Sequence, residues 1–109
     1  MTNTKMIIAT TEKVPGREVT EVLGLVRGNT VRARHVGSDI GASLKSLVGG
    51  EIKGYVIAMT EAREEALSRM LDEATALGAD AVIGMRFTTS QIMAGTAEIL
   101  AYGTAVKLN

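Results

Sequence analysis

The stretch Tyr55–Asp80, YVIAMTEAREEALSRMLDEATALGAD, decides the fold. Glu65, Arg69 and Glu73 place opposite charges one helical turn apart, and Gly78 stands where a left-handed C-cap belongs. The pattern predicts one long amphipathic helix from about Gly54 to Leu77, or a shorter one if Thr60 is its N-cap. Apolar residues recur along it at helical spacing, namely Tyr55, Met59, Ala62, Ala66, Met70, Ala74 and Leu77.

Short segments on both sides of this helix are typical of β-strands. Gly24 and Gly28 lie inside the second segment and indicate a bulge or a close approach of another backbone. A short helix is predicted over Ser38–Val48, ended by Gly49 and Gly50. The predicted strands are Lys5–Thr10, Glu18–Val31, Asp80–Met93 and Ala97–Leu108, the last two forming a hairpin. These elements predict a single α+β domain over residues 1–109, with an antiparallel sheet packed on one long helix.

The overall composition limits the classes of function. The chain has 109 residues, 46% hydrophobic and only 3% aromatic, so aliphatic side chains, Met and Ala must build the core. Twelve Lys and Arg balance 12 Asp and Glu, and this zero net charge argues against nucleic acid or an anionic membrane as the partner. The chain has no Cys, which excludes disulfides and thiolate sites. No segment approaches the roughly 18 apolar residues of a membrane span, so we expect a cytoplasmic protein.

Two of the predicted strands are apolar on both faces. One long helix can cover only one face of the sheet, and burial of the other is favourable by roughly 25 cal/mol per Å². The pattern therefore predicts self-association, unless the short helix folds over the second face of a monomer. In the last strand, one face carries Leu100, Tyr102, Val106 and Leu108, and the other carries Ala97, Ile99, Ala101 and Ala105. In the second strand, one face carries Val22 and Val26, and the other carries Leu23 and Leu25. The third strand is predicted to place Ala81, Ile83, Met85, Phe87 and Met93 on one face.

Several linked blocks along the chain form a recognisable set: Glu61–Ala66 (EAREEA), Arg69–Met70, Ala76–Gly84 (ALGADAVIG), Val48–Glu51 (VGGE), Tyr55 and Gly103–Val106 (GTAV). Together these blocks resemble the YbjQ-like family of small bacterial and archaeal proteins. The resemblance covers Met6 to Leu108 and implies a dodecin-subunit-like β-α-β-β fold in two layers that forms a homopentameric ring. The family has no assigned activity and is labelled a "putative heavy-metal-binding domain".

Metal binding is the activity that this label suggests. Soft-metal sites are usually built from Cys and His, whereas this chain has no Cys and one His. His35 and Asp39 are the candidate ligands, although Gly37 and Ser38 between them argue against presentation on a regular helix. A ring would multiply one histidine into five if His35 faced the axis. The sequence identifies no cofactor and leaves the metal unknown.

A small anion is a second candidate ligand. Arg32, Arg34, His35 and Ser38 lie at the start of the predicted short helix, where positive charge and free N–H groups attract anions. The alternative is a basic loop in contact with solvent, since the P-loop spacing is absent.

The candidate interface residues are Arg63, Val22, Val26 and Tyr102. Arg63 lies beside the apolar stripe of the helix, where it can pair with a carboxylate of another subunit. Motifs of nucleophilic catalysis are absent, so we expect no enzyme. The sequence favours a homo-oligomeric binding or scaffold protein that holds a metal or small anion at subunit clefts. The alternative is a purely structural assembly without a ligand.

Overall fold

A computed structural model describes residues 6–33 and 50–109, and the side chains within 6–32 and 56–109. In this part of the chain one helix packs on a four-stranded sheet of order β1-β3-β4-β2. The elements in chain order are β1 (Ile7–Ile8), β2 (Val19–Ala33), α1 (Gly50–Ala76), β3 (Ala81–Met93) and β4 (Thr96–Leu108). The predicted short helix Ser38–Val48 lies outside the described residues. We call the face of the sheet toward α1 the inner face and the opposite one the outer face.

The long helix predicted by the apolar spacing is confirmed. α1 has 27 residues, which is about 40 Å at 1.5 Å per residue. It begins at Gly50, before the predicted start, so Thr60 is inside the helix rather than its cap. Gly78 has a φ of 79°, and its N–H donates to the carbonyl of Thr75 (2.9 Å) while that of Ala79 donates to the carbonyl of Ala74 (3.1 Å). This is the Schellman arrangement that the glycine predicts.

The helix lies close on the sheet because small residues and glycine meet there. Ala62, Ala66, Met70 and Ala74 are each 0% exposed and follow one another at four-residue spacing. Below them, a Cβ placed on Gly28 would collide with the backbone of Ala66 and Met70. The predicted close approach of another backbone at Gly28 is therefore confirmed.

The sheet is mixed, whereas the sequence predicted an antiparallel one. β1 pairs in parallel with β3, with Ile7 opposite Ala81 and Ile8 opposite Val82. β4 is antiparallel to both of its neighbours, β2 and β3. β1 and β2 occupy opposite edges of the sheet, so the chain must cross the sheet between them. A tight hairpin cannot join two such strands, so the rule that consecutive strands run antiparallel does not apply to β1.

Bulges in β2 and β3 reverse which residues face the helix. The register shifts between Val22 and Gly24 in β2 and between Ile83 and Arg86 in β3. One extra residue moves every later side chain to the other face. The predicted face of β3 is therefore wrong as a set, because Ala81 and Ile83 lie on the outer face whereas the residues after the bulge, such as Met85, join the inner core.

The chain itself covers one end of the outer face. Ala81, Val106 and Leu108 are buried there and pack with Ile7, Val14 and Ile83. Val14 belongs to the connection between β1 and β2. The prediction that the whole second face needs a partner is therefore too broad, because the described residues cover this end of it and leave only the part beyond the cluster uncovered.

Candidate functional site

Part of the outer face is left uncovered by the described residues and carries exposed apolar side chains. Val22, Leu25 and Val31 of β2 are 65%, 60% and 53% exposed. Leu100 and Tyr102 of β4, both half-buried, stand next to them on the same face. We call these five residues the outer patch. Its residues come from two adjacent strands, so their positions are fixed by the sheet.

Charged residues lie within and beside the outer patch. Arg27 of β2 and Arg86 of β3 are the cross-strand neighbours of Tyr102 on its two sides. Arg86 Nη1 donates to the carbonyl oxygens of Thr10 and Met85, both at 2.9 Å, so this guanidinium is held at the β1 side of β3. Glu98 accepts a hydrogen bond from Asn29 Nδ2 at 2.9 Å. This face thus carries two arginines and one carboxylate, and its local charge is positive.

Side chains of α1 close the free edge of β2. The backbone N–H of Arg27 donates to Glu73 Oε1 at 2.9 Å, and Arg69 Nη1 donates to the carbonyl of Asn29 at 2.6 Å. Glu65 lies between Arg32 (2.9 Å) and Arg69 (2.6 Å). The middle of this edge is therefore occupied by the helix and is closed to an added strand.

Replacing Glu65 with glutamine should remove both ion pairs at once. The side chains involved are 40–52% exposed, so solvent screening keeps the expected loss in free energy of unfolding to about 1 kcal/mol or less. Urea denaturation at low and high salt measures it, and the difference from wild type should shrink in high salt. Glu64→Gln, on the exposed side of the same helix, is the control and should change little. An equal loss in both variants would contradict this account.

The predicted anion and metal residues are only partly within the described chain. Arg32 has its guanidinium paired with Glu65, which partly neutralises it. Arg34, His35, Ser38 and Asp39 lie outside the described residues. Over residues 6–33 and 50–109, no three His, Cys, Asp or Glu side chains come together as metal ligands would.

The predicted interface residues separate into three environments. Val22 and Tyr102 belong to the outer patch. Val26 is 0% exposed and packs beneath α1, so its assignment to an interface is corrected: the bulge after Val22 turns it into the core. Arg63 is on the exposed side of α1, with Nη2 3.4 Å from Thr60 Oγ1. Sequence reasoning missed Leu25 and Arg27 as neighbours of Tyr102, because only the register across the bulge brings them together.

A cavity of about 430 Å³ lies in the loop from Glu12 to Val19. Arg17 Nη2 donates to the Asn109 carbonyl at 3.1 Å, and the backbone N–H of Glu18 donates to Asn109 Oδ1 at 3.0 Å. Its charged side chains, of both signs, are exposed. These contacts hold the loop against the end of β4, so its conformation is explained without a bound ligand.

None of the helical residues described forms a stretch long and apolar enough to cross a membrane.

Known proteins resemble the chain over almost its full length. Residues 6–109 match the YbjQ family, whose description reads "Putative heavy-metal-binding". A UPF0145 protein of Archaeoglobus fulgidus is 65% identical over 104 residues, covering 95% of this chain and 96% of its own. UPF0145 proteins of Thermotoga maritima and Vibrio campbellii are 64% and 60% identical, each over 94% of this chain and 97% and 99% of their own.

A solved structure shares the fold. It is a protein of unknown function from Pediococcus pentosaceus that belongs to the DUF74 family, and the similarity covers 95% of this chain and 98% of that one. The TM-score is 0.64 at 18% sequence identity, a likeness that concerns the fold alone. Together with the family match over residues 6–109 and the identities of 60–65%, the comparisons show that the chain belongs to the YbjQ-like family of UPF0145 proteins.

Proposed function

We propose that this protein is a self-assembling scaffold whose copies meet through the outer patch. The observation that carries the proposal is the exposure of Val22, Leu25 and Val31, each more than half exposed on a regular sheet face. Leu100 and Tyr102 of the neighbouring strand connect these residues on one face, although Arg27 and Asn29 separate Leu25 from Val31 on β2 itself.

The energy available from this surface is sufficient to favour association. Full burial of a Val or Leu side chain is favourable by roughly 1.5–3 kcal/mol, so covering the exposed half of each contributes about 1 kcal/mol. Three such residues, with the remaining area of Leu100 and Tyr102, give several kcal/mol on each copy. The zero net charge adds little long-range repulsion between copies.

The assembly that we propose is a cyclic homopentamer, as the YbjQ-like family implies, built on a dodecin-like subunit. The role needs no catalytic step. Every copy in such a ring is equivalent, so residues near the axis or at a cleft are presented five times.

The more specific form of the proposal is that a metal or small anion binds at the clefts between subunits, and the family description supports this form. In a chain with no Cys and one His, a soft metal would need donors from more than one copy. His35 and Asp39 are the available donors for a metal, and Arg34 and Ser38 for an anion. Native mass spectrometry of the purified oligomer tests this form: an added mass that EDTA or dialysis removes supports a ligand. Repeated spectra without one support the alternative, a structural assembly alone.

Leu25→Asp is the variant that tests assembly itself. Leu25 is 60% exposed in one chain, so a charge there leaves the fold intact but places a carboxylate in the proposed contact, which would have to be desolvated. Light scattering after size exclusion should give a multiple of 11.5 kDa for the wild type and the single-chain mass for the variant. Ser68→Asp, at an exposed position of α1 away from the sheet, is the control for an added charge. A wild type of single-chain mass at micromolar concentration would refute the proposal.

A further inference from the structure

The edge of β3 beyond Met85 has no neighbouring strand in the described chain. β1 pairs with β3 only through Ile7 and Ile8, and the last backbone bond on that side runs from the N–H of Met85 to the carbonyl of Ala9 at 3.0 Å. Backbone N–H groups of a strand point alternately to its two sides. The next N–H groups at this edge are therefore those of Phe87, Thr89 and Gln91.

This free edge lacks the features that usually keep strands from adding to a sheet. Phe87–Met93 reads FTTSQIM, with no charged residue and no proline, and all seven residues are exposed. Natural sheet edges generally carry Lys, Pro or a covering element. The opposite edge of the sheet has such a cover, since Glu73 and Arg69 bond to the backbone of β2. The edge of β3 has none among the described residues.

A groove lies between the free edge and α1. The helix lies over β2 and β4 and touches β3 only at its margin, so Phe87 is 42% exposed although its cross-strand partner Ala101 is buried. The flank of α1 that carries Arg69 contacts β2, so the half-buried Leu67 and Leu71, on the opposite flank, lie toward β3. The inner side of the free edge is therefore apolar near Phe87.

The cross-strand register places Arg63 beside the same edge. Thr30 Oγ1 donates to the carbonyl of Ala62 at 3.1 Å, and Thr30 lies in one row with Ile99 and Thr89. Arg63 follows Ala62 on the flank of α1 toward β3. Arg63 is therefore at the level of Thr89 along the sheet.

The guanidinium of Arg63 has no carboxylate partner among the described residues, where the ion pairs all involve Glu65. Its Nη2 is 3.4 Å from Thr60 Oγ1, a long contact that leaves most of its N–H donors to solvent. The groove thus offers apolar area beside Phe87 and a cation at the level of the residue two positions further along the strand.

From these observations we propose that the free edge of β3 binds an extended segment of a partner protein, which adds to the four-stranded sheet as a further strand. The backbone of the segment pairs with the free N–H and C=O groups, and its alternate side chains face the groove. The segment carries an apolar residue beside Phe87 and, two positions away, an acidic residue that pairs with Arg63. The groove is on the side of the sheet opposite the outer patch, so this contact is additional to the proposed assembly.

A second copy of the chain fits this edge less well. Among the described strands, β2 has its outer edge covered by α1 and β1 is only two residues long, so another copy could offer only its own β3. The strand facing each Arg63 would then be Phe87–Met93, which has no carboxylate. Both guanidinium groups would stay unpaired at the contact.

A displayed library of random nine-residue peptides, panned on the wild-type protein, tests the inference. We expect enriched peptides to carry an acidic residue two positions from an apolar one. Fluorescence anisotropy of labelled peptides from this selection gives the Kd for each variant. Thr89→Pro removes one N–H at the free edge, a change that an edge strand tolerates when that N–H faces outward. The Kd should rise at least about 10-fold, because a backbone hydrogen bond is lost and the proline ring obstructs the added strand.

Arg63→Glu tests the charged position without touching the strand. Arg63 is exposed on α1, so the variant should fold. The Kd of the acidic peptides should rise at least about 10-fold, and a new selection on this variant should enrich Lys or Arg in place of the acidic residue. Lys13→Glu makes the same change in charge on the exposed loop after β1 and should leave the Kd unchanged.

A selection without binders would overturn the inference, as would peptides whose binding neither Thr89→Pro nor Arg63→Glu weakens. If Thr89→Pro stops the wild-type association instead, the edge is occupied by a second copy and the partner segment is wrong. A wild type that is a single chain would refute the proposed assembly but would still present the groove, so the two failures are distinguishable.

Discussion

Replacing Gly28 with alanine should lower the free energy of unfolding by about 3 kcal/mol or more, at the upper end of the costs of overpacking. The sign is informative, because Gly→Ala at a position with ordinary backbone angles normally stabilises a protein by about 0.4–1 kcal/mol. Gly28 is not among the glycines with positive φ. The added Cβ would nevertheless collide with the backbone of Ala66 and Met70 and come within 2.6 Å of Arg69 Cβ. Backbone atoms of a helix cannot rotate away, so α1 would have to lift from the sheet.

Gly103→Ala is the matched control for this substitution. Gly103 lies on β4, and a Cβ there would be 2.6 Å from a methyl of Val82 and 3.1 Å from the carbonyl oxygen of Ile83. Here the contact below 3.0 Å is with one side-chain methyl rather than with helix backbone, so the expected loss is smaller, about 1–2 kcal/mol, although Val82 is buried. Urea denaturation followed by far-UV circular dichroism compares the two. If Gly28→Ala were as stable as wild type, the close packing of α1 on β2 would be wrong.

Val26→Asp should leave little folded protein at 25 °C, whereas Val22→Asp should fold. Val26 is 0% exposed beneath α1, and burying a carboxylate without a partner costs several kcal/mol. A small domain has only about 5–15 kcal/mol of stability in total. Val22 is 65% exposed, so aspartate there stays in water and costs about 1 kcal/mol of strand preference.

The two variants separate the core from the proposed contact. Far-UV circular dichroism and denaturation at one protein concentration report folding, and light scattering reports association. We expect Val22→Asp to retain the native circular dichroism spectrum but to have a lower mass in solution than the wild type, because it no longer associates. Val26→Asp should lose the spectrum itself. Equal behaviour of the two would mean that the bulge does not send them to opposite faces.

The helix was the most predictable element because its signals are local. Its repeat of small and apolar residues needs only helical geometry, and Gly78 fixes the C-terminus by its own φ. The start of the helix was less predictable, since Gly50 and Gly54 are poor helix formers and give only a weak signal for where the helix begins. The hairpin of β3 and β4 followed from two strand-like segments around Gly95.

The bulges explain why the faces of the strands could not be read from alternation. Gly24 has a φ of 129° and Gly84 a φ of 61°, values that favour glycine and mark where the register shifts. Sequence reasoning recognised Gly24 as a possible bulge but still counted Val22 and Val26 as one face. The parallel pairing of β1 was beyond local reasoning, because it depends on where the connection through Val14 crosses the sheet.

The sequence predicted the kind of candidate site but not its extent. Strands that are apolar on both faces predicted an exposed apolar surface, and Tyr102 and Val22 are part of it. The cover that Val14 and Ile7 give to Val106 and Leu108 reduces this surface to the outer patch.

The hydrogen bonds that Glu73 and Arg69 make with the edge of β2 give α1 a second role, which is to keep that edge from pairing with another strand. When heat detaches the helix, the unpaired N–H and C=O groups of a 15-residue strand and the apolar inner face become available in the same step. Exposed strands of this kind add to one another and grow into fibrillar aggregates. We therefore expect thermal unfolding to be irreversible above the temperature at which α1 melts. Variants that hold the end of α1 more tightly on the sheet should recover the most folded protein after heating.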